Sequence, residues 1–196
     1  EIACSDPAIK MGDGWIVALR HRDAGDLKSY RDMMARDYGE ELQFLSTEQT
    51  REKLNSVRYF ESISNSGAFH IHPLKYSLML AREAEKSGAS LHESSPALAV
   101  EKLGNEWRVR CAEGEVIAQH VVHCVSSLDR IIHKASGRAV LPVATYVAVT
   151  EPLNQNAVRT SAAVADTRRA GNYYRLIDGG RLLWGGNITT RVSEPE

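Results

Sequence analysis

The sequence predicts a mixed α/β fold, and three observations carry that reading. The stretch "HPLKYSLMLAREAEKSG" (72–88) hands over directly to "ASLHESSPALAVEK", the helix-to-strand step of α/β proteins. Three short runs with turn signals between them then form a meander. Finally, "GNYYRLIDGGRLLWGGN" (171–187) reads as an antiparallel hairpin.

The elements follow in order. "DGWIVALR" (13–20) alternates Trp15, Val17 and Leu19 against Ile16 and Ala18, the period of a strand with at least one buried face. A helix is expected next, with Asp23 as N-cap, Leu27, Tyr30, Met34 and Tyr38 at helical spacing, and Gly39 as C-cap. Ser46 with Gln49 three residues on is a capping-box pattern for a short helix over "STEQTREKLNS".

Pro73 suits a first helical turn, because its missing N–H has no partner there in any case. Leu74, Leu78, Ala81 and Ala84 share one face, and Met79 and Leu80 widen it. The first half of this helix is therefore expected to be buried on more than one side, with Gly88 as its stop. A short strand is expected near "ASLHES". The meander follows, "ALAVEKL" turning at Gly104-Asn105 into "EWRVRCA" and that at Glu113-Gly114 into "EVIAQHVVHCV". The run "VVHCV" has the composition of a central strand buried on both faces. "VATYVAVT" (143–150) is a further strand ended by Pro152, and Asp178-Gly179 is expected to make a two-residue turn between Leu176 and Leu182.

Composition limits the function classes. With 43% hydrophobic and 25% charged residues the chain is an ordinary globular one, and a net charge of -1 provides no electrostatic reason to expect nucleic acid or an anionic membrane. No apolar run approaches the ~20 residues of a membrane-spanning helix. Three cysteines without a CxxC favour free thiols, and hence a cytoplasmic location. The opening "EIACSDPAIK" and the closing "RVSEPE" read as cut from something longer.

A meander inserted in a helix–strand layer is similar to the dinucleotide domains of flavoproteins. The run from "GAFHIHPLKYSLMLAREAEKSGASLHESSPALAVEK" through "GEVIAQHVVHCVSS", "VATYVAVTEPL" and "NYYRLIDGGRLLWGG" resembles the central part of FAD-dependent amine and amino-acid oxidases. These form the D-amino-acid oxidase, glycine and sarcosine oxidase superfamily, and the likeness is strongest to its γ-glutamylputrescine oxidase branch. The motifs are individually soft, and their order and spacing make the match. Such proteins begin with a strand, a GxGxxG turn and a helix that holds the FAD pyrophosphate. "GDGWIV" (12–17) is no substitute, since its third glycine is absent and it precedes a strand instead of following one.

The resemblance therefore implies an incomplete FAD-binding doubly wound domain with an inserted β-meander, beside an antiparallel β-sheet substrate domain with flanking helices. Residues 1–66 and 136–196 would be the two parts of the substrate domain, and 67–135 the partial FAD-binding domain. By position, Ala97 would touch the adenine through its main chain. Cys124, Val125 and Ser126 stand where the family has an "A-T-N-G" edge near the cofactor phosphates. They lack its Thr hydroxyl and the Gly that allows close backbone approach. Tyr173, Tyr174 and Arg175 would form a wall of the substrate cavity. Period-two alternation puts Tyr174 on one face and Tyr173 with Arg175 on the other, and a Tyr or Arg there could orient a carboxylate. The plainer alternative is that these three simply cover a sheet. Trp184 is read as core. His70, His72, His120, His123 and Cys124 show no metal-ligand spacing, so no metal site is assigned.

The implied reaction is flavin-dependent oxidation of an amine or amino-acid C–N bond, with catalytic residues outside what this chain identifies. FAD would belong to the full-length parent, and the isolated chain would be inactive. The alternative is a non-catalytic ligand-binding or assembly module of the same fold. Self-association through an exposed sheet edge is a further expectation.

Overall fold

The computed structural model describes residues 9–125, 138–141, 143–154 and 157–190. These form two compact units, one from the described residues of Glu1–Leu80 and Thr145–Ile188, the other from those of Ala81–Ala144 and Thr189–Glu196.

The first unit is built on a mixed sheet. Its strands are β1 (Lys10–Ala18), β2 (Gln43–Leu45), β3 (Ser62–Ile71), β7 (Ala144–Val149), β8 (Ala163–Asp166), β9 (Tyr173–Ile177) and β10 (Arg181–Thr189). They lie in the order β2-β3-β1-β8-β9-β10-β7. β1 runs antiparallel to β3 and parallel to β8, which is the parallel step in an otherwise antiparallel set of registered pairs.

Alternation along β1 sends its side chains to opposite faces. Ile16 and Ala18 join Val164, Tyr174, Tyr59, Val158 and Leu54 in one core cluster. Trp15 and Val17 pack with Leu19, Leu27, Leu42 and Ile63 in another. Helix α1 (Gly25–Tyr38) supplies Leu27 and so covers the second face, while α2 (Thr47–Leu54) supplies Leu54 to the first.

The local signals act as their chemistry requires. The N-cap of α1 is Ala24 and not Asp23 as expected. Asp23 Oδ1 accepts from Gly25 N at 2.9 Å in a turn just ahead of the helix, and Gly39 ends α1 at φ 68°. Ser46 and Gln49 make the reciprocal capping box of α2. Thr50 and Ser62, both fully buried, satisfy each other at 2.7 Å and so pin α2 to β3. The two glycines of "GDGWIV" serve the strand. Gly14 takes φ 82°, and register shifts fall between Lys10 and Gly12 and between Asp13 and Trp15.

In the second unit, β4 (Ala99–Leu103), β5 (Glu106–Arg110) and β6 (Glu115–Ala118) form the expected meander. Leu103 pairs with Glu106 across Gly104-Asn105, and Arg110 with Glu115.

Four further sequence expectations need correction. Helix α3 (Pro73–Lys86) forms with His72 capping it, Nδ1 accepting from Lys75 N at 3.4 Å, but it has no buried residue. Leu74, Leu78 and Leu80 are exposed, because no described element lies over the stripe that their spacing creates. "ASLHES" is a loop and turn, not a strand. "VVHCV" forms no strand either. Val122 and Val125 are exposed, and among the described residues no strand pairs with this run, so its apolar composition alone does not make it one. The last hairpin closes through three residues, Asp178–Gly180, with Gly179 and Gly180 both at positive φ (78° and 71°). The second glycine lengthens the turn by one, and the Leu176–Leu182 pairing is kept.

Candidate functional site

The hairpin β9–β10 carries the site. Tyr174 pairs with Val164 on β8 and with Trp184 on β10, which fixes it on the Ile16/Ala18 face. Tyr173 pairs with Ala165 and Gly185, and Arg175 with Leu183, on the opposite face. The alternation read from the sequence is thus the arrangement found.

On the Tyr173/Arg175 face, Arg175 Nη1 donates to the Ile71 carbonyl at 2.7 Å and to His70 Nδ1 at 3.1 Å. His70 Nε2 lies 2.8 Å from the Ser161 carbonyl. A guanidinium can only donate and a carbonyl can only accept, so the imidazole carries its proton on Nε2 and presents Nδ1 as acceptor. Gly12 makes room for this chain. A Cβ there would lie 2.6 Å from His70 Nε2 and 2.7 Å from the Ser161 oxygen. Tyr173 lies over Gly185, where a Cβ would fall inside its ring. Among the described residues the remaining Arg175 N–H groups carry no protein hydrogen bond.

On the other face, the Tyr174 and Trp184 rings stack at 4.6 Å and 3°, with Tyr59 tilted against Tyr174 at 6.4 Å. Trp184 is 36% exposed, so it is a stacking partner and not a core residue. Its Nε1 donates to Asn172 Oδ1 at 3.3 Å. Asn172 in turn donates through N and Nδ2 to the buried carboxylate of Asp166, at 3.1 and 2.9 Å. Arg168 completes that carboxylate's partners through N and Nε. Burial pushes the Tyr174 hydroxyl well above the usual phenol range, and the neighbouring Tyr59 and Asp166 push the same way. A cleft of about 420 Å³ opens on this face, lined by Tyr59, Tyr174, Trp184 and three arginines among others.

The residues expected on the cofactor side belong to the other unit. Ala97 is half-buried just before β4, where Leu98 N donates to Arg110 O at 2.7 Å. Cys124 and Val125 are exposed and outside any strand, and Ser126 lies outside the described residues. Among the described residues no group of three or more His, Cys, Asp or Glu could hold a metal, and no helix is long and apolar enough to cross a membrane.

His70, Ser161, Asp166 and Asn172 were not legible as site residues. His70 stood out in the sequence only as one of two histidines two apart, and its partners Ser161 and Arg175 are far away in sequence, while Asp166 and Asn172 meet only six residues apart within an unpatterned turn.

Comparison with known proteins agrees with this architecture. The model of the family described as FAD dependent oxidoreductase matches residues 4–195. The chain is 28% identical over 173 residues to a probable oxidoreductase OrdL of Rhizobium meliloti, covering 87% of this chain and 40% of that protein. It is 25% identical over 189 residues to the gamma-glutamylputrescine oxidoreductase of Escherichia coli, covering 93% of this chain and 44% of that protein. The chain therefore spans less than half the length of these curated relatives. Glycine oxidase from Geobacillus kaustophilus superposes with a TM-score of 0.74 at 19% identity, over 96% of this chain and 51% of that one. L-proline dehydrogenase from P. horikoshii superposes equally well, 0.74 at 16% identity, over 93% and 50%. At these identities the two structures speak for the fold alone.

Proposed function

We propose, from the premise that this chain belongs to the FAD-dependent oxidoreductase family, that it supplies the substrate-facing sheet of an enzyme oxidising the C–N bond of an amine or amino acid. The substrate would be γ-glutamylputrescine-like or D-amino-acid- or glycine-like. The observation that carries this reading is the tethered Arg175. Two acceptors hold its Nη1, and its other donors are left to meet a carboxylate beside Tyr173. A guanidinium fixed in advance loses little freedom on binding, so it can orient an anionic substrate group bidentately. Tyr173 over Gly185 gives that wall a flat aromatic surface.

Ala97, Cys124, Val125 and Ser126 remain the residues we assign to the cofactor side. Ala97 would touch the cofactor through its main chain, and the rest of the nucleotide site would come from the part of the fold that the relatives have beyond the matched span. The exposed Leu74, Leu78 and Leu80 of α3 support that reading, as an apolar stripe that needs a cover. By itself the chain would be inactive, and it would self-associate through an exposed sheet edge. The domain division at 66/67 and 135/136 and a cytoplasmic location belong to the same proposal.

The test is to purify the protein at the full length of its relatives. It should be yellow, hold one FAD and reduce a dye or release H2O2 with amines or amino acids. Arg175→Ala should raise KM for the carboxylate-bearing substrate. A colourless preparation that ignores amines would overturn the assignment. The exposure of Cys124 and Val125 favours a second reading, a non-catalytic ligand-binding or assembly module. Micromolar amine binding without flavin would select it, and stoichiometric FAD would exclude it.

A further inference from the structure

The cleft on the Tyr174 face is distinct from the wall formed by Tyr173 and Arg175, since adjacent residues of a strand point to opposite sides of a sheet. Its lining among the described residues includes Arg20, Arg58 and Arg168 and no Asp or Glu. Arg168 is paired, Nε to Asp166 Oδ2 at 3.3 Å. The other two guanidinium groups have no carboxylate partner among the described residues. Arg20 lies over the Tyr59 ring, 5.2 Å from its centroid, and Arg58 is exposed. Such a surplus of cationic donors around a concavity concentrates anions.

The floor is aromatic and rigid. Trp184 is clamped between its stack on Tyr174 and the bond from its Nε1 to Asn172, and Asn172 is itself anchored on buried Asp166. An indole held in this way and 36% exposed offers a planar surface at little entropic cost. The volume, about 420 Å³, suits one small molecule.

We infer that this cleft is a second binding site, for a small organic oxyanion whose flat ring lies against Trp184 while Arg20 and Arg58 hold its phosphate or carboxylate. This site goes beyond the oxidoreductase reading and stands or falls independently of it.

The experiment is isothermal titration of the full chain with phenyl phosphate, phenylacetate, inorganic phosphate and phenol. Phenyl phosphate or phenylacetate should bind with one-to-one stoichiometry, and whichever of the two binds more tightly identifies the oxyanion preferred. That ligand should bind at least about tenfold more tightly than inorganic phosphate, which lacks the ring, or phenol, which lacks the charge. The double variant Arg20→Gln/Arg58→Gln should weaken it at least about tenfold, and Trp184→Ala should cost a similar factor. Arg175→Gln should leave the titration unchanged. Equal binding of phenol, an unaltered titration in a double variant that melts like the parent, or loss of binding in Arg175→Gln would each overturn the proposal.

Discussion

The Arg175 guanidinium, on the strand before the last turn of the chain, donates at 3.1 Å to Nδ1 of His70, which stands 105 positions earlier at the end of β3. This bond joins β9 to a strand with which it is not paired, and together with the Ser161 carbonyl it selects the Nε2–H tautomer. Long-range 15N–1H spectra should accordingly show His70 as that tautomer. In Arg175→Met the ring should lose the single-tautomer signature, and stability should fall by about 1–2 kcal/mol as the Ile71 carbonyl and Nδ1 lose their donor. A preserved tautomer in the variant would mean that Ser161 alone sets it.

Asp166 is the most heavily bonded side chain near the site, accepting from two backbone and two side-chain donors. Asp166→Ala leaves the donors of half-buried Asn172 unmatched. It should cost about 2–4 kcal/mol in urea unfolding and should quench the order of Trp184, which depends on Asn172. A loss below about 0.5 kcal/mol would show that the carboxylate is dispensable.

Tyr174 supplies a pH dependence. Its hydroxyl is raised in the folded chain, first by burial and then by Tyr59 and Asp166. Folding thus favours the protonated phenol. The stability it contributes is fully present below the unfolded value near pH ~10 and is lost as pH rises from there toward the folded value. Urea midpoints should therefore fall between about pH 9.5 and 11.5, and Tyr174→Phe should flatten that fall. One of the seven tyrosines should also stay silent in the alkaline ultraviolet titration of the folded chain.

Gly185 lies under the Tyr173 ring, and Gly185→Ala has to displace it. The expected cost is about 1–3 kcal/mol, and Tyr173→Ala in the same chain should recover most of it. Independent, additive losses would contradict the packing.

Helix α3 exposes Leu74, Leu78 and Leu80. The chain should self-associate in light scattering, and Leu74→Glu with Leu78→Glu should return it toward monomer. A parent chain that is monomeric at high concentration would argue that the stripe needs no cover.

The legible part of the fold was the part written in local chemistry. Gly39, the Ser46–Gln49 box, Gly104-Asn105 and the Leu176–Leu182 pairing all act within a few residues of themselves, and all appear where their spacing puts them. Strand β8, "AVAD", was missed because four small residues carry no period, and its parallel pairing with β1 is a tertiary event. "VVHCV" misled for the converse reason, since apolar content registers the potential for burial but not the neighbour that realises it.

The alternation of "YYR" determined from sequence alone that Tyr174 and Arg175 serve opposite faces, because a strand admits only two directions. Which side chains meet them there was decided only by the fold. Gly12 leaves space for His70, Asp166 fixes Asn172, and three arginines from distant segments gather around one aromatic pair. Chain direction is a local property of the backbone, whereas these meetings depend on strand order and register, which are settled by the packing of the whole sheet.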